Sequence, residues 1–446
     1  MSYNVSFISL GCAKNQVNCE QMMAVCQNAG YSIQAAPEGC DVVVVNTCGF
    51  LASACEEAIE NILEMAELKR AGQIKKILVT GCMSQRYKGD ILEELPEVDG
   101  ILGTGSYEEI AGAIAEVMEK GSKPCHLGNI HTANQSGERI LSTPPWYAYL
   151  RIAEGCDNHC AYCVIPSLRG KYRSRPMNEL LDEAAELASA GVKELLVIAQ
   201  DITRYGTDLN GEHQLAKLLK ELCKLGFHWI RLHYLYPDEI TDELIDVIAT
   251  EEKILPYLDI PIQHCNDQIL KAMNRRDTKE SLLELLSKLR EKIPGLVLRT
   301  SLIAGLPYED EDAFEELCQF LREVKIERAG VFPFSPEDGT KAALMEHVDF
   351  EEAQRRAELA VDVQSDIIDA YNESVMGDER EVLCEGFDVQ SQMFYGRSYA
   401  ESPEIDGRIY FSADEEIAPG TFVIVQLTDT MDGELVGVFQ SKEEEE

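Results

Sequence analysis

Positive charge is scarce in this 446-residue chain: 40 Lys and Arg stand against 79 Asp and Glu, for a net charge of −39. Free nucleic acid is therefore a poor default partner, because phosphate binding is driven by Lys and Arg that displace counterions. A basic protein suits such a surface better, since complementary fields steer association and reject mismatched partners. Acidity that serves only solubility is the plainer alternative. Long apolar runs are also missing. No stretch approaches the ~20 residues of a membrane helix, so no membrane partner is expected. The opening MSYNVSFISLGC has neither the basic start nor the apolar stretch of an export signal. Fifteen cysteines in a large chain of this kind point to a reducing, cytoplasmic setting in which disulfide staples are rare. Clustered thiols then indicate metal or redox chemistry, and scattered ones small buried hydrophobes.

A further lack is local. The segment EGCDNHCAYC, residues 154–163, supplies Cys156, Cys160 and Cys163 but no fourth thiol. A structural zinc site wants four protein ligands. His159 is the nearest candidate, but it immediately precedes Cys160, and adjacent residues rarely reach one ion together. A four-iron cluster held by three thiolates is the better reading, because it leaves one iron open to bind a small molecule and pass it an electron.

What is present divides the chain into parts. Residues 3–120 alternate strand-like and helix-like segments, which indicates an α/β layer with parallel strands. Cys12, Cys48 and Cys82 each fall just past a strand-like segment (NVSFISL, DVVVVN, KKILVT) and before a helix-like one. In open parallel sheets those strand ends gather along one edge where ligands bind. The repeated placement favours one shared site over three unrelated buried thiols. Residues 121–145 are polar, with Gly, Ser and Pro, and read as a linker. Residues 146–373 carry six strand–helix repeats, consistent with a partial (β/α)6 barrel, and end in a long amphipathic helix, 350–372. Residues 374–441 turn to short strands with turns, suggesting a small antiparallel β-barrel. Residues 442–446 form an acidic tail. The fold class expected is α/β with that β-barrel appended.

The C-x3-C-x2-C spacing at the end of the first barrel strand, with Tyr162 before the last cysteine, resembles the radical S-adenosylmethionine superfamily. The resemblance extends over nearly the whole chain to the methylthiotransferases, whose terminal β-barrel is called a TRAM domain. It implies two 4Fe-4S clusters. One, on Cys156, Cys160 and Cys163, binds and cleaves S-adenosylmethionine to give a carbon radical. The other, on Cys12, Cys48 and Cys82, takes part in sulfur insertion, and together they convert C–H to C–S–CH3. Within that family, SLGCAKNQVNCE, PSLRGKYRSRP and AQDITRYG resemble the branch that modifies the β-carbon of an aspartate in small-subunit ribosomal protein twelve. The alternative is the branch acting on transfer-RNA adenosine. Residues 375–446 hold 18 acidic and 4 basic residues, net −14. That suits a basic ribosomal protein as substrate, and direct RNA binding is not expected. An electron donor such as flavodoxin or ferredoxin is also implied. Two departures from the family opening stand out: Ala13 where Pro is usual, and Cys19 where Ser is usual, which adds a spare thiol.

The resemblance also suggests cofactor contacts. Tyr162 would offer its backbone carbonyl, or else simply pack. Gln200 stands at a strand end near the cofactor's polar end. Asp259 and Gln263, in LDIPIQ, lie near the barrel mouth within reach of a ribose. Gly305 would allow the adenine close approach, or else merely end a strand. Arg169, Lys171, Arg173 and Arg175 form either a solvated loop or a carboxylate-binding group. No catalytic base is identifiable, and His264 is either a relay or structural.

Overall fold

A computed structural model describes residues 2–133 and 136–440, so the acidic tail lies outside the described residues. The first sheet has six strands, β1 (Asn4–Ser9), β2 (Ser32–Gln34), β3 (Val42–Thr47), β4 (Lys76–Gly81), β5 (Gly100–Gly105) and β6 (Cys125–Gly128). All pairings are parallel and the order is β2-β1-β3-β4-β5-β6. The run of four valines in β3 explains the layering. Val43 and Val45 pack against Ile62 and Ala66 of helix α2 (Ala52–Arg70), while Val42 and Val44 meet Met22 of helix α1 (Ala13–Asn28) and Ile114 on the other face. A strand buried on both faces reads as a continuous apolar run, as parallel sheets require. The strand order reverses between β1 and β3, which is where ligands bind in doubly wound sheets.

The second sheet is open and all-parallel, in the chain order β7 (Tyr147–Arg151), β10 (Glu194–Ile198), β11 (Trp229–Leu232), β12 (Ile254–Asp259), β13 (Val297–Ala304), β14 (Arg328–Pro333). A short antiparallel pair, β8 (Ala153–Glu154) and β9 (Arg173–Ser174), extends its first strand. This is the six-stranded partial barrel read from the repeats. One strand is displaced: β12 starts at Ile254 and ends at Asp259, so Gln263 lies beyond it. Pro256 argues against a strand on sequence alone; here the pairing with β11 shifts register between Ile230 and Leu232 to accommodate it.

The last five strands, β15 (Glu379–Asp388), β16 (Met393–Arg397), β17 (Ile409–Ser412), β18 (Phe422–Met431) and β19 (Glu434–Phe439), close into a barrel. Its 397–406 segment docks against the large barrel through buried polar contacts. Arg397 and Arg231 both reach Glu194, at 2.8 and 2.7 Å, and all three are buried. Tyr147 and Tyr257 donate to Glu404 and Asp406, and His233 bonds Ser402 at 2.9 Å.

The stretch read as a linker behaves differently. Cys125–Gly128 is the sixth strand of the first sheet, paired to β5. Beyond it, Ser142 and Arg139 bond the buried carboxylate of Glu20 on α1. Its polar composition hid an edge strand, whose half-exposed residues need no apolar run.

Candidate functional site

The first thiol triad lies at the reversal of the sheet. Cys12 caps α1 directly after β1, Cys48 follows β3, and Cys82 opens helix α3 (Cys82–Tyr87) directly after β4. Glycines let these loops meet. A Cβ on Gly11, whose φ is +86°, would lie 2.7 Å from the Cβ of Cys48. One on Gly49 would lie 2.6 Å from the backbone nitrogen of Met83. The loops that carry the three sequence-distant cysteines therefore lie in contact.

The second triad lies on the loop after β8. A turn joins Cys163 N–H to the carbonyl of Cys160 at 3.0 Å, and Ile165 N–H donates to the Cys163 sulfur at 3.4 Å. Asp201 accepts from Asn158 at 3.0 Å, and Asn274 donates to the carbonyls of Asn158 and His159, holding His159 at φ +51°. The Tyr236 hydroxyl lies 3.8 Å from the Cys160 sulfur. Burial pushes Cys156 up to about 12, and burial with its neighbouring thiols pushes Cys48 up to about 12. Cys12 differs. Burial acts to raise it, but the cations of Lys14 and Arg169 and the N–H groups of Asn15 and Lys14 outweigh that and lower it. Cys12 also keeps accessible surface.

The two triads adjoin. Cys82 packs with Val164 and Leu168, immediately past Cys163. Arg169 crosses the boundary: it donates to the Cys82 sulfur at 3.3 Å, to Asn15 and Asn18 of α1, and to Glu154 at 3.2 Å. Glu154, two residues before Cys156, also receives Arg151 at 3.0 Å and Gln200 at 2.6 Å. A polar void of about 10 Å³, roughly one water in size, lies between Asn18, Tyr107, Glu154 and Arg169. Over Cys160 and Cys163 a larger cleft of about 670 Å³ opens to solvent, with Arg86, Lys88 and Lys341 on its walls.

The RGKYRSRP segment is thus not a solvated loop. Arg169 and Arg175 are 3% and 4% exposed, and Arg175 is tied to Glu183 and the Arg151 carbonyl. Lys171 is exposed, and Arg173 donates to backbone carbonyls nearby.

Of the expected cofactor contacts, Gln200 is best placed. Its amide is anchored on Glu154, while its buried Oε1 has no partner among the described residues. Tyr162 packs its ring with Met273, Leu306 and Phe334. Gln263 lies past β12 at φ +71°, bridged through its backbone to β13. Asp259 is committed elsewhere: Arg299 donates to it at 2.8 Å and the Tyr234 N–H at 3.2 Å. Gly305 requires correction. The space it leaves is filled by the helix Phe350–Ser374, whose Ala353 Cβ would lie 2.5 Å from a Cβ added there, so the glycine serves helix packing. His264 is structural, its Nε2 3.1 Å from buried Glu309 and its Nδ1 accepting from Asn266. Cys19 is buried and pushed up to about 12 by desolvation, the behaviour of a packed small residue. Sequence reasoning missed Glu154, Lys14 and Tyr234; the charged residue at a barrel strand end was the available signal for the first.

The donor set fits iron–sulfur chemistry. Each triad offers three soft thiols, and near the first of them the Cys55 sulfur lies 4.0 Å from the Cys48 carbonyl. Among the described residues no compact His, Cys, Asp or Glu group suited to a single ion is found.

Three family descriptions match separate stretches of the chain. The family described as "Uncharacterized protein family UPF0004" matches residues 4–103, the radical SAM superfamily residues 150–321, and the TRAM domain residues 376–439. In solved structures the fold resembles the radical S-adenosylmethionine methyltransferase TsrM from Kitasatospora setae, with TM-score 0.57, 14% identity and 75% of each chain covered. It also resembles the cobalamin-dependent S-adenosylmethionine radical enzyme OxsB, with TM-score 0.50, 14% identity, and 81% of this chain and 56% of that one covered. Two curated relatives are named ribosomal protein uS12 methylthiotransferase RimO. The protein of Thermoanaerobacter sp. (strain X514) is 45% identical, covering 98% of this chain and 100% of that one. The protein of Caldanaerobacter subterraneus subsp. tengcongensis is 46% identical with the same coverage. Full-length identity of that order means that the chain belongs to the RimO family of radical SAM methylthiotransferases.

Proposed function

We propose that this enzyme methylthiolates ribosomal protein uS12 at the β-carbon of an aspartate, with a 4Fe-4S cluster on each thiol triad and S-adenosylmethionine bound at the second. The single observation that carries this reading is the juxtaposition of two three-thiol loops at one domain boundary. When bound, these groups supply a radical able to take hydrogen from an unactivated carbon, and sulfur for the new bond.

The chain's own residues do the positioning. Asp201, Asn158 and Asn274 hold the Cys156–Cys163 loop in shape before anything binds. Gln200 presents a buried, unpartnered Oε1 beside that loop, suited to a donor such as the cofactor's amino group, and Tyr162 and Gln263 complete the contacts. Arg169 supplies an N–H to the Cys82 sulfur, and donors to cluster sulfurs tune potential. The cleft over Cys160 and Cys163, with Lys88 and Lys341 exposed on its walls, suits an acidic reductant such as flavodoxin or ferredoxin.

A basic protein substrate is supported by the terminal barrel. Residues 376–439 carry 14 acidic residues and three arginines. Of these, Arg397 is buried on Glu194 and Arg380 pairs with Asp378. Little cationic surface remains for phosphates.

Two measurements test the proposal. Iron analysis of anaerobically prepared protein should give about eight irons per chain, falling to about four when Cys156, Cys160 and Cys163 are all alanine; a wild-type value of about four removes the second cluster. Mass spectrometry of uS12 and transfer RNA from a deletion strain should show the methylthio group lost from the protein only. Loss from RNA with uS12 still modified would reverse the substrate assignment.

A further inference from the structure

An aspartate offered to this site brings a negative charge into a boundary between domains, and one buried cation there has no carboxylate partner among the described residues. Lys14 is the second residue of α1, just past Cys12, and at 8% exposure it is the one buried lysine among the described residues. Its ammonium lies 3.2 Å from the centroid of the Tyr234 ring. Among the described residues it forms no ion pair with a carboxylate. Asp259, whose field reaches it, already accepts from Arg299 and from the Tyr234 N–H. A ring face offsets only part of the cost of burying an ammonium.

The ring itself is held at a cost. Tyr234 lies just past the C-terminal end of β11 at φ +65°, a left-handed conformation that an aromatic residue seldom adopts. Two bonds hold it there: its N–H to Asp259 and its carbonyl accepting from Ile202 at 3.0 Å. Such strain persists where the surroundings over-determine it, and ligand clamps are a common setting. Beside the pair, Cys12 keeps accessible surface. A buried ammonium, a strained aromatic shelf and an exposed thiol thus meet at the C-terminal strand ends of both sheets, where sites in such folds lie.

We infer that the Lys14 ammonium, shelved on Tyr234, is the counter-ion for the carboxylate of the target aspartate and sets the enzyme's preference for an acidic side chain. This rests on the uS12 reading. A carboxylate held at Nζ fixes the β-carbon one bond away, so the anchor also orients the C–H that reacts. The competing role for the same charge is to neutralise the Cys12 thiolate.

The test uses the cluster-loaded full-length enzyme and two peptides, one spanning the target aspartate of uS12 and one with Asn in its place. Wild type should bind the Asp peptide at least about tenfold more tightly, as a charge-assisted pair implies. Lys14→Met should bring the two affinities within about twofold, and Lys14→Arg should restore most of the difference. Iron content and the paramagnetic signal of the Cys12, Cys48 and Cys82 cluster, read with Cys156, Cys160 and Cys163 replaced by alanine, should not change. A Lys14→Met enzyme that keeps the tenfold ratio overturns the inference, as does one in which only the cluster signal changes. If that variant does not fold, Tyr234→Leu removes the shelf and must lower the ratio; an unaltered ratio again overturns it. A wild-type enzyme that binds neither peptide fails the uS12 reading first, and the inference falls with it.

Discussion

Arg169 shows how much a single side chain carries. It is 3% exposed and meets Cys82, Asn15, Asn18 and Glu154 at once. Breaking a buried ion pair leaves the other charge stranded, which costs about 3–5 kcal/mol. Arg169→Met should therefore lower the denaturation midpoint. In protein lacking the Cys156, Cys160 and Cys163 thiols it should also reduce iron per chain, as measured by metal analysis. Unchanged iron would mean that the donor to Cys82 is dispensable. Gly305 is a second such position. With φ +82° and Ala353 against its open face, Gly305→Ala adds left-handed strain and overpacking, together about 2–4 kcal/mol. Calorimetry should show the loss in stability. These two residues were visible in the sequence as an arginine in a basic loop and a glycine after a strand. Their partners, 15 to 154 positions away, were not.

At the scale of elements, the seam between the large and small barrels is built from buried charge. The arginines Arg397 and Arg231 hold the Glu194 carboxyl low, down to about 2 despite its burial. Burial holds His233 down to about 4, and it bonds Ser402 in the neutral state. Both groups bind fewer protons folded than unfolded as pH falls. His233 contributes stability that is intact above its unfolded value of about 6.5 and is lost down to about 4. The Glu194 share is intact above about 4.5 and lost towards 2. Acid titration followed by near-ultraviolet circular dichroism should show the seam weakening in two stages. Glu194→Gln should abolish the lower stage, and His233→Asn the upper. Element boundaries were legible where apolar runs were continuous, as in β3. They were not legible at Pro256, where a register shift preserved the strand, nor at β6, an edge strand with too little burial to mark it.

For the whole molecule the governing quantity is a net charge of −39. Attraction between exposed charges is screened beyond a Debye length of about 10 Å at 0.1 M salt. Association with the proposed basic protein substrate should therefore slow by about tenfold or more between about 0.05 and 0.5 M salt, with dissociation changing less. Stopped-flow binding measures this directly. An association rate that ignores salt would place the recognition in apolar contacts instead.

Residue spacing and composition alone pointed to α/β parts followed by a β-barrel, to two groups of three cysteines and to the acidic character of the surface, because each is a local property of the chain: strand–helix period, thiol spacing, charge count. Only the tertiary structure decided that the two triads share a boundary, that Arg169 and Glu154 join them, that Gly305 serves a helix, and that Lys14 is buried on Tyr234 without a carboxylate. Those facts depend on which strand ends face each other across a domain interface, and contact energies there are set by burial and by partners far away in sequence.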